Sequence, residues 1–348
     1  MEQEQQTPHK RRVRYKGKYP KKFEEKYKEL QPEKYQDTIE HVIKKGNTPA
    51  GMHISIMVQE ILDTLKIQPG ETGFDATLGY GGHTKAMLAC LNGQGHIYAT
   101  DVDPEESAKT KKRLEELGYG EDILTIRLQN FCTIDEIAKE VGGFDFILAD
   151  LGVSSMQIDN PKRGFSFKVD GPLDLRLNQE AGISAAERLD TITREELAGM
   201  LYENSDEPYC EELAKAITDE IRKGNRIDTT TKLREVIEKT LDFLPEKEKK
   251  DTIKKTCQRT FQALRIDVNR EFEVLYEFME KLPDALKPGG RVAILTFHSG
   301  EDKLVKKALK EGCRAGIYAD YSKDVVRPSA QECAQNGRAR SKIGRAHV

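Results

Sequence analysis

The sequence predicts an α/β fold of the Rossmann-like kind, a parallel sheet that carries an inserted all-helical segment, and three observations support it. Residues 71–104 follow the order strand, glycine-rich turn, helix, strand. Residues 144–150 are a largely apolar run closed by an acid, which is typical of a buried parallel strand. From there to the next expected strand, residues 291–297, most of the chain has helical periodicity, over about a hundred residues.

The remaining elements follow from local signals. A helix is expected over residues 57–66, because Ile61, Leu62 and Leu65 form one apolar face. Asp103-Pro104 opens a helix through Leu117, and its acidic first turn suits the helix dipole. Further elements are expected as a strand over residues 123–128 and helices over residues 194–204, 209–223, 230–241, 246–265 and 269–286. We expect the apolar stripes of the inserted helices to form their own core rather than a groove for a partner.

The first β-α-β unit predicts a ligand site. Its first strand ends at Asp75, the chain turns on Gly79, Gly81 and Gly82, and its second strand ends at Asp101. Glycines permit turn dihedrals that other residues avoid, and they leave room for a ligand against the backbone. Asp101 lies 22 residues after Gly79, near the spacing at which an acid accepts hydrogen bonds from ribose hydroxyls. The unit therefore predicts a ribose-bearing cofactor.

The identity of that cofactor depends on the end of the glycine motif. A nicotinamide site ordinarily continues as Gly-x-Gly-x-x-Gly, but position 84 is Thr. S-adenosylmethionine has no pyrophosphate, and its charged amino acid end suits the pattern Asp75-x-x-x-Gly79-x-Gly81. The pattern favours S-adenosylmethionine. A dinucleotide, or a glycine turn that binds no ligand, stays open as an alternative.

Polar side chains follow two later strands. In an open α/β sheet, ligands bind beyond the carboxyl ends of the strands. Asp150 closes one strand and is followed by Ser154, Ser155 and Gln157, so these side chains are expected near the ligand. His298 follows the strand over residues 291–297 at the same edge, where it serves either chemistry or structure.

The residues after His298 have a structural interpretation of their own. Ser299 is expected to cap a helix over residues 302–310, with acids in its first turn.

Composition describes an ordinary soluble protein. The chain has 348 residues, of which 37% are hydrophobic and 33% charged, and its net charge is −3. No apolar run approaches the roughly 18 residues that cross a bilayer, and the basic N-terminus is unlike a secretory signal. We expect a cytoplasmic protein without membrane contact. Its six cysteines contain no Cys-x-x-Cys pair, so neither a disulfide framework nor a metal site is expected.

The N-terminal segment is strongly basic. Residues 10–28 contain ten Lys or Arg and two acids, with Tyr15, Tyr19, Phe23 and Tyr27 between them. Basic side chains neutralise phosphates and aromatic rings stack on bases, so this segment is a candidate RNA contact. A solvated basic tail explains it equally well. A short polar helix is expected after it, over residues 32–45.

Taken together, the motifs resemble the bacterial ribosomal RNA cytosine-N4 methyltransferase family, which modifies small-subunit RNA at the decoding centre. The resemblance covers most of residues 53–342. The matching strings are Asp75-Ala-Thr-Leu-Gly-Tyr-Gly-Gly-His-Thr84, Asp150-Leu-Gly-Val-Ser-Ser155, Arg163-Gly-Phe-Ser-Phe167, Gly171-Pro-Leu-Asp-Leu-Arg176, Arg259-Thr-Phe-Gln-Ala-Leu-Arg265 and Phe297-His-Ser299.

The resemblance implies a class I methyltransferase sheet, S-adenosylmethionine as cofactor, no metal, and methyl transfer to the exocyclic amine of a cytidine in ribosomal RNA. It places cofactor contacts at Gly81, Gly82, His83, Asp101, Phe131, Asp150 and Gln157. Asp150 is expected to orient the cofactor and the amine, with Ser154 or Ser155 as secondary acceptors. Departures from the family pattern include Tyr80, where Arg is usual, and Gly300, where Leu is usual.

The expected organisation has three parts. Residues 1–50 form a basic extension, residues 51–160 and 256–348 form the S-adenosylmethionine-binding domain, and residues 161–255 form a helical insertion that recognises RNA. Two other functions fit the pattern alone. One is a nicotinamide-dependent oxidoreductase, and the other is a ribosome assembly factor that binds RNA without catalysis.

Overall fold

A parallel sheet forms the centre of the computed structural model, which describes residues 55–335, 339 and 343–347. Five strands run parallel, and a sixth lies antiparallel at one edge, in the order β3-β2-β1-β4-β5-β6. The strands are β1 (Thr72–Asp75), β2 (His96–Asp101), β3 (Leu124–Leu128), β4 (Phe144–Asp150), β5 (Leu286–Thr296) and β6 (Ile343–His347). The expected parallel α/β sheet is confirmed, whereas nothing in the sequence pattern predicts β6.

Helices cover both faces of this sheet. On one face lie α1 (Val58–Leu65), α2 (Gly82–Leu91) and α3 (Pro104–Glu116). On the other lie α4 (Ile134–Val141), α11 (Glu271–Ala285) and α12 (Ser299–Arg314). A short helix α13 (Ala330–Gln335) precedes β6. The described residues contain no helix that is both long and apolar enough to span a membrane.

Strand β4 shows why the sheet is buried on both faces. Ile147 and Ala149 belong to the core under α4, α11 and α12, while Phe146 and Leu148 belong to the core under α1, α2 and α3. All four side chains are fully buried. Successive residues of a strand point to opposite faces, so a strand with apolar residues at nearly every position needs two cores. The largely apolar run over residues 144–150 is therefore confirmed as a central strand.

A separate helical layer lies between β4 and β5 in the chain. Its helices are α5 (Ser155–Asp159), α6 (Ala185–Thr191), α7 (Arg194–Ser205), α8 (Cys210–Arg222), α9 (Thr230–Thr240) and α10 (Glu246–Asn269). Their buried faces share a third core, which extends from Phe165 to Leu264 and includes Leu197, Ile217 and Leu233. The apolar stripes do form a core of their own, as expected.

Several helices differ from the sequence expectation. Helix α6 was not expected, although Ser184 and Glu187 form a capping box at its start, a signal that the sequence carries. Helix α10 continues to Asn269, so the expected domain boundary at residue 255 falls within a single helix. Helix α12 begins at Ser299 rather than at residue 302. The basic segment over residues 10–28 and the helix over residues 32–45 lie outside the described residues.

Candidate active site

The glycine turn joins the end of β1 to the start of α2. Gly79 and Gly81 have φ values of 46° and 79°, in the left-handed region that favours glycine. Two backbone hydrogen bonds shape the turn: Leu78 N donates to Thr100 O at 2.9 Å, and Gly81 N donates to Leu78 O at 2.8 Å. The turn is therefore bound to the end of β2 before any ligand enters.

The three glycines are required for different reasons. A Cβ atom on Gly79 would meet nothing nearer than Thr77 O at 3.8 Å, so the space beside Gly79 is open. A Cβ on Gly81 would lie 2.7 Å from Thr110 Cγ2, and one on Gly82 would lie 2.0 Å from Ser55 Oγ. Only Gly79 leaves room for a ligand on its Cβ side, whereas Gly81 and Gly82 admit the packing of the protein itself.

Asp75 stabilises the glycine turn through its buried carboxylate. Its carboxylate accepts hydrogen bonds from Thr77 N at 3.0 Å and from Thr84 Oγ1 at 2.6 Å, and it is only 1% exposed. Burial raises the pKa of Asp75, although these hydrogen bonds act against that rise. The Thr84 hydroxyl also explains why the third glycine of a dinucleotide motif is missing, since it serves as the internal partner of this acid.

Asp101 closes β2 beside the same turn. Its Oδ2 accepts from Gly79 N at 2.7 Å, and its Oδ1 accepts from Asp103 N at 2.9 Å. Burial raises the pKa of Asp101 to about 6, with the negative charges of Asp103 and Asp75 adding to the rise. Each carboxylate oxygen has a second lone pair, so Asp101 can still accept hydrogen bonds from two hydroxyls. Asp101 therefore lies beside the open glycine turn with acceptor capacity left for a ligand.

Asp103 is a functional position that the sequence reasoning missed. Its Oδ1 caps α3 by accepting from Glu105 N and Glu106 N, each at 3.1 Å. Its Oδ2 lies 2.6 Å from Arg163 Nη2 and 3.2 Å from Gln157 Nε2. Asp103 and Arg163 are 1% and 4% exposed. This buried cluster joins the end of β2 to the start of the helical segment.

That joint could not be read from the sequence. Asp103-Pro104 signals a helix start, because Asp is a common N-cap residue and Pro is common at the first helical position. Nothing in the spacing predicts that Arg163, sixty residues later in the chain, contacts the same carboxylate.

Asp150 lies at the end of β4, next to the glycine turn. Its backbone N donates to Thr77 Oγ1 at 2.7 Å. Its Oδ2 lies 3.6 Å from His83 Nδ1, and the other ring nitrogen of His83 lies 2.9 Å from Ile56 O. Because a carbonyl oxygen only accepts, Nε2 of His83 carries a proton and Nδ1 faces Asp150. The structure thus brings together Asp75, His83 and Asp150, which the sequence placed on two separate segments.

The residues after Asp150 have both local and distant partners. Ser154 caps α5: its Oγ accepts from Gln157 N at 3.1 Å, and Gln157 Oε1 accepts from Ser154 N at 2.9 Å. Gln157 also donates to Asp103, so it joins α5 to β2. Ser155 begins α5 and is half-buried. The capping box gives Ser154 a structural role that is sufficient to explain a serine there.

Phe131 follows β3 at the same edge of the sheet. It lies in a short 3-10 helix, Phe131–Thr133, which Asn130 caps by accepting from Cys132 N at 3.2 Å. Its ring packs edge-on against Phe278 of α11, with centroids 5.2 Å apart. The ring is only partly buried, so one part stays available to a planar ligand.

His298 follows β5 and belongs to a buried charged network. Its Nε2 lies 3.4 Å from Glu301 Oε1, and its ring packs edge-on against Phe272 with centroids 5.7 Å apart. Burial raises the pKa of Glu301, but His298, the Phe297 backbone N–H and Arg265 together hold that pKa below its usual range. His298 is 9% exposed.

The expected Ser299 cap is wrong. Helix α12 begins at Ser299, so His298 occupies the cap position. Glu301 stabilises the helix start instead, because its Oε2 accepts from Phe297 N at 2.6 Å. A carboxylate in the first turn can accept from the N–H groups that precede it, which removes the need for a serine at the cap.

Glu271, His298 and Glu301 bring three possible metal ligands within 4.8 Å of one another. Both oxygens of Glu271 are already bound by Arg265, at 2.8 and 3.0 Å. A buried guanidinium beside the cluster opposes a cation. The donor set therefore fits an ion-pair network better than a metal centre.

Comparisons with known proteins agree with this geometry. The sequence profile described as the MraW methylase family matches residues 50–346. "Ribosomal RNA small subunit methyltransferase H 1" of Agathobacter rectalis is 86% identical over 337 residues, which cover 97% of both chains. The protein of the same name from Lachnoclostridium phytofermentans is 69% identical, over 97% of this chain and 92% of its own.

More distant proteins extend the comparison. "Ribosomal RNA small subunit methyltransferase H" of Acidobacterium capsulatum is 36% identical over 83% of this chain and 95% of its own. The solved structure of a SAM dependent methyltransferase from Aquifex aeolicus covers 88% of this chain and 95% of its own, with 11% identity and a TM-score of 0.37. A TM-score this low supports no conclusion about function. The profile match and the identities over nearly the whole chain show that this protein belongs to the MraW methylase family.

Proposed function

We propose that this protein methylates the exocyclic N4 amine of a cytidine in small-subunit ribosomal RNA, in the cytoplasm. It is a methyltransferase, and S-adenosylmethionine is its cofactor. Close relatives are named for the small-subunit RNA, and the family resemblance supplies the N4 position. The proposal rests on one observation: in a chain of a methylase family, the open glycine turn at Gly79 is hydrogen-bonded to the half-buried Asp101 carboxylate.

The residues around the turn fit the cofactor. The open space beside Gly79 lets a ligand approach the backbone, and the Asp101 carboxylate has the lone pairs to accept from two ribose hydroxyls. Phe131, partly buried after β3, offers an apolar face for the adenine. The N–H groups of Gly82 and His83, at the start of α2, are suited to a carboxylate, whereas the Gly81 N–H already donates to Leu78 O. Asp75 acts indirectly, by holding the turn.

The chemistry requires help from the protein because the cytosine amine is a poor nucleophile. S-adenosylmethionine supplies an electrophilic methyl on a sulfonium, which leaves as a neutral thioether when the new N–C bond forms. The amine loses one proton in the process, so a nearby base must accept it. Holding the amine in line with the methyl and accepting a hydrogen bond from it would supply most of the acceleration.

Asp150 is the group we assign to the amine. Its backbone is fixed by Thr77 and its carboxylate lies beside His83 Nδ1. That pair is well suited to share one proton, since Nδ1 and Oδ2 are both acceptors when the ring is neutral. Gln157 supports the site through Asp103, and Ser155 is the remaining secondary acceptor, because the Ser154 hydroxyl already caps α5. His298 positions the end of β5 through Glu301.

The helical insertion and the basic extension are assigned to RNA. Because α10 continues to Asn269 and adds Phe261 and Leu264 to the core of the insertion, we move the expected boundary at residue 255 to the end of that helix. The proposed parts are the extension (residues 1–50), the cofactor domain (residues 51–160 and 270–348) and the insertion (residues 161–269). The insertion has its own core, which leaves its outer surface for a partner. The target base must leave its stack to reach Asp150, and a separate RNA-binding surface would hold the flanking nucleotides.

The alternatives have less support. Membership of a methylase family disfavours the nicotinamide-dependent oxidoreductase, and Thr84 is used by Asp75 instead of leaving the room a third glycine would give. A ribosome assembly factor without catalysis would not need the arrangement of Asp101 and Asp150 around an open turn.

A labelling experiment tests the proposal. Purified protein and S-adenosylmethionine with a tritiated methyl are incubated with small ribosomal subunits from a strain that lacks this enzyme, and the labelled nucleoside is identified by mass spectrometry. We expect label in N4-methylcytidine at a single position. Label in another nucleoside, or no label with subunits that a related enzyme does methylate, would overturn it.

A further inference from the structure

Helix α10 carries a row of lysines on its exposed side. Lys247, Lys250 and Lys254 are exposed, and their spacing of three and four residues places them on one face. In the part of the chain that the structure describes, none of the three forms a salt bridge. The nearby Asp251 is already paired with Lys255 at 2.8 Å. The row therefore presents three positive charges to solvent.

The same side of α10 leads toward the candidate site. Positions 254, 258, 261 and 265 continue this face along the helix. There Phe261 packs against Phe167 with ring centroids 5.8 Å apart, and Arg265 binds Glu271 beside the His298 network. Lys254 and Arg265 are eleven residues apart, which corresponds to about 16 Å along a helix. Phe261 and Arg265 are buried, so a chain on the exposed lysine row would lie about this far from the end of β5.

An exposed aromatic ring precedes the lysine row in the chain. Phe243 lies in the turn before α10 and is 67% exposed. Its ring packs edge-on against Tyr209, with centroids 6.3 Å apart, which holds it in place. An exposed ring four residues before the first of these lysines offers a surface on which an unpaired base can stack while the lysines neutralise phosphates.

We propose that the lysine row, meaning Lys247, Lys250 and Lys254 together with Phe243, binds a single-stranded stretch of ribosomal RNA next to the target cytidine. The phosphates lie along the lysines, and one base stacks on Phe243. This inference rests on the proposed function, because it assigns the RNA-binding surface of that reaction. Three exposed lysines without a salt bridge favour a polyanion, and the exposed ring favours a nucleic acid over an acidic peptide.

The test uses the full-length triple variant Lys247→Gln, Lys250→Gln, Lys254→Gln and a protein-free fragment of small-subunit RNA. Binding is measured by fluorescence anisotropy at several salt concentrations. Each lost phosphate contact should reduce the slope of log affinity against log salt by about 0.7 to 0.9, so we expect a reduction of about 2 to 3. The Kd for S-adenosylmethionine, measured by calorimetry, should stay unchanged.

A matched control replaces three exposed lysines that are each paired with a nearby acid. Lys109, Lys139 and Lys232 each form a salt bridge four residues away. Their triple Gln variant removes the same charge and should leave the salt slope near that of the wild type. An equal reduction in both variants would mean that net charge alone acts, which would overturn the lysine row.

A second pair of variants tests the role of Phe243. Phe243→Ala should weaken binding by about 5- to 150-fold, the range for loss of one base-stacking ring, and Phe243→Tyr should retain it. If the lysine variant loses affinity only for whole subunits and not for the protein-free RNA, the surface binds a ribosomal protein and the proposal fails. If the wild-type enzyme methylates subunits but the variants bind RNA with wild-type affinity, this inference alone fails. If the wild-type enzyme transfers no methyl group, the proposed function fails.

Discussion

Two regions of this protein handle charge in opposite ways. At the carboxyl edge of the sheet, Asp75, Asp101 and Asp103 are held by backbone N–H groups or by a buried arginine. On the outer side of the insertion, Lys247, Lys250 and Lys254 are exposed and form no salt bridge within the described residues. The first region is organised before a ligand arrives, and we propose that the second attracts one mainly by charge. We therefore expect cofactor binding to depend on geometry and RNA binding to depend on salt.

The largest effect is expected where the two regions are joined. Arg163→Met leaves the buried Asp103 carboxylate without its charged partner, and breaking such a pair costs about 3 to 5 kcal/mol. Urea unfolding should show this loss in the free energy of unfolding. Arg226→Met is the matched control, because Arg226 pairs with Asp190 at the surface and should cost about 1 kcal/mol or less. A loss of unfolding free energy no larger than that of Arg226→Met would show that the contact between Arg163 and Asp103 contributes little to stability.

Replacing Asp150 should separate turnover from cofactor binding. Asp150→Ala should lower kcat by about 100- to 1000-fold, the usual loss on removing one group that stabilises the transition state. The Kd for S-adenosylmethionine should change much less, because Asp101 and the glycine turn remain. Single-turnover methylation and calorimetry measure the two quantities. A Kd that rises as much as kcat falls would make Asp150 a binding residue, and full activity would remove it from the site.

Asp101 should control cofactor affinity. Hydrogen bonds to a charged acceptor contribute about 1.5 to 3 kcal/mol, so Asp101→Ala should raise the Kd for S-adenosylmethionine about 10- to 150-fold. The variant also removes the acceptor of Gly79 N, which loosens the turn. Calorimetry gives the Kd, and circular dichroism checks that the fold is kept. An unchanged Kd would disprove the ribose contact.

The raised pKa of Asp101 adds a dependence on pH. Its carboxyl is charged above about pH 6 and becomes protonated below it, when it loses acceptor capacity. Cofactor affinity should therefore fall by up to tenfold for each pH unit below 6, while Asp101→Ala should lack this part of the profile. The contribution to stability has the opposite sign. A pKa raised above the ordinary value of 3.8 means that the folded state takes up the proton first, so the burial penalty is relieved between pH 6 and 4.

The smallest effect on the cofactor site is expected from removing residues 1–45. Lysine and arginine contacts to phosphates carry no sequence information, so we expect these residues to add RNA affinity without choosing the nucleotide. The truncated protein should bind S-adenosylmethionine as before and show a flatter salt slope for RNA. Mass spectrometry should find the same methylated position. An unchanged salt slope would make the segment a solvated tail, and a different methylated cytidine would show that it selects the target.

The sequence by itself determined the parallel sheet, the glycine turn and the acids at the strand ends. These follow from local causes: apolar residues at nearly every position make β4 a buried strand, and glycine tolerates the positive φ at positions 79 and 81. The spacing from Gly79 to Asp101 predicted that the two residues lie close together, because consecutive parallel strands bring their carboxyl ends to one edge of the sheet.

Only the tertiary structure decided which residues serve the protein and which remain for a ligand. Gly81 and Gly82 are glycines because Thr110 and Ser55 pack against them, and Thr84 is threonine because Asp75 needs a donor. The sequence also did not predict the contact of Arg163 with Asp103. Nor did it predict that Glu301, rather than Ser299, stabilises the start of α12. Local pattern reports the conformation of a segment. A side chain's partner depends on which distant segments the folded core brings into contact.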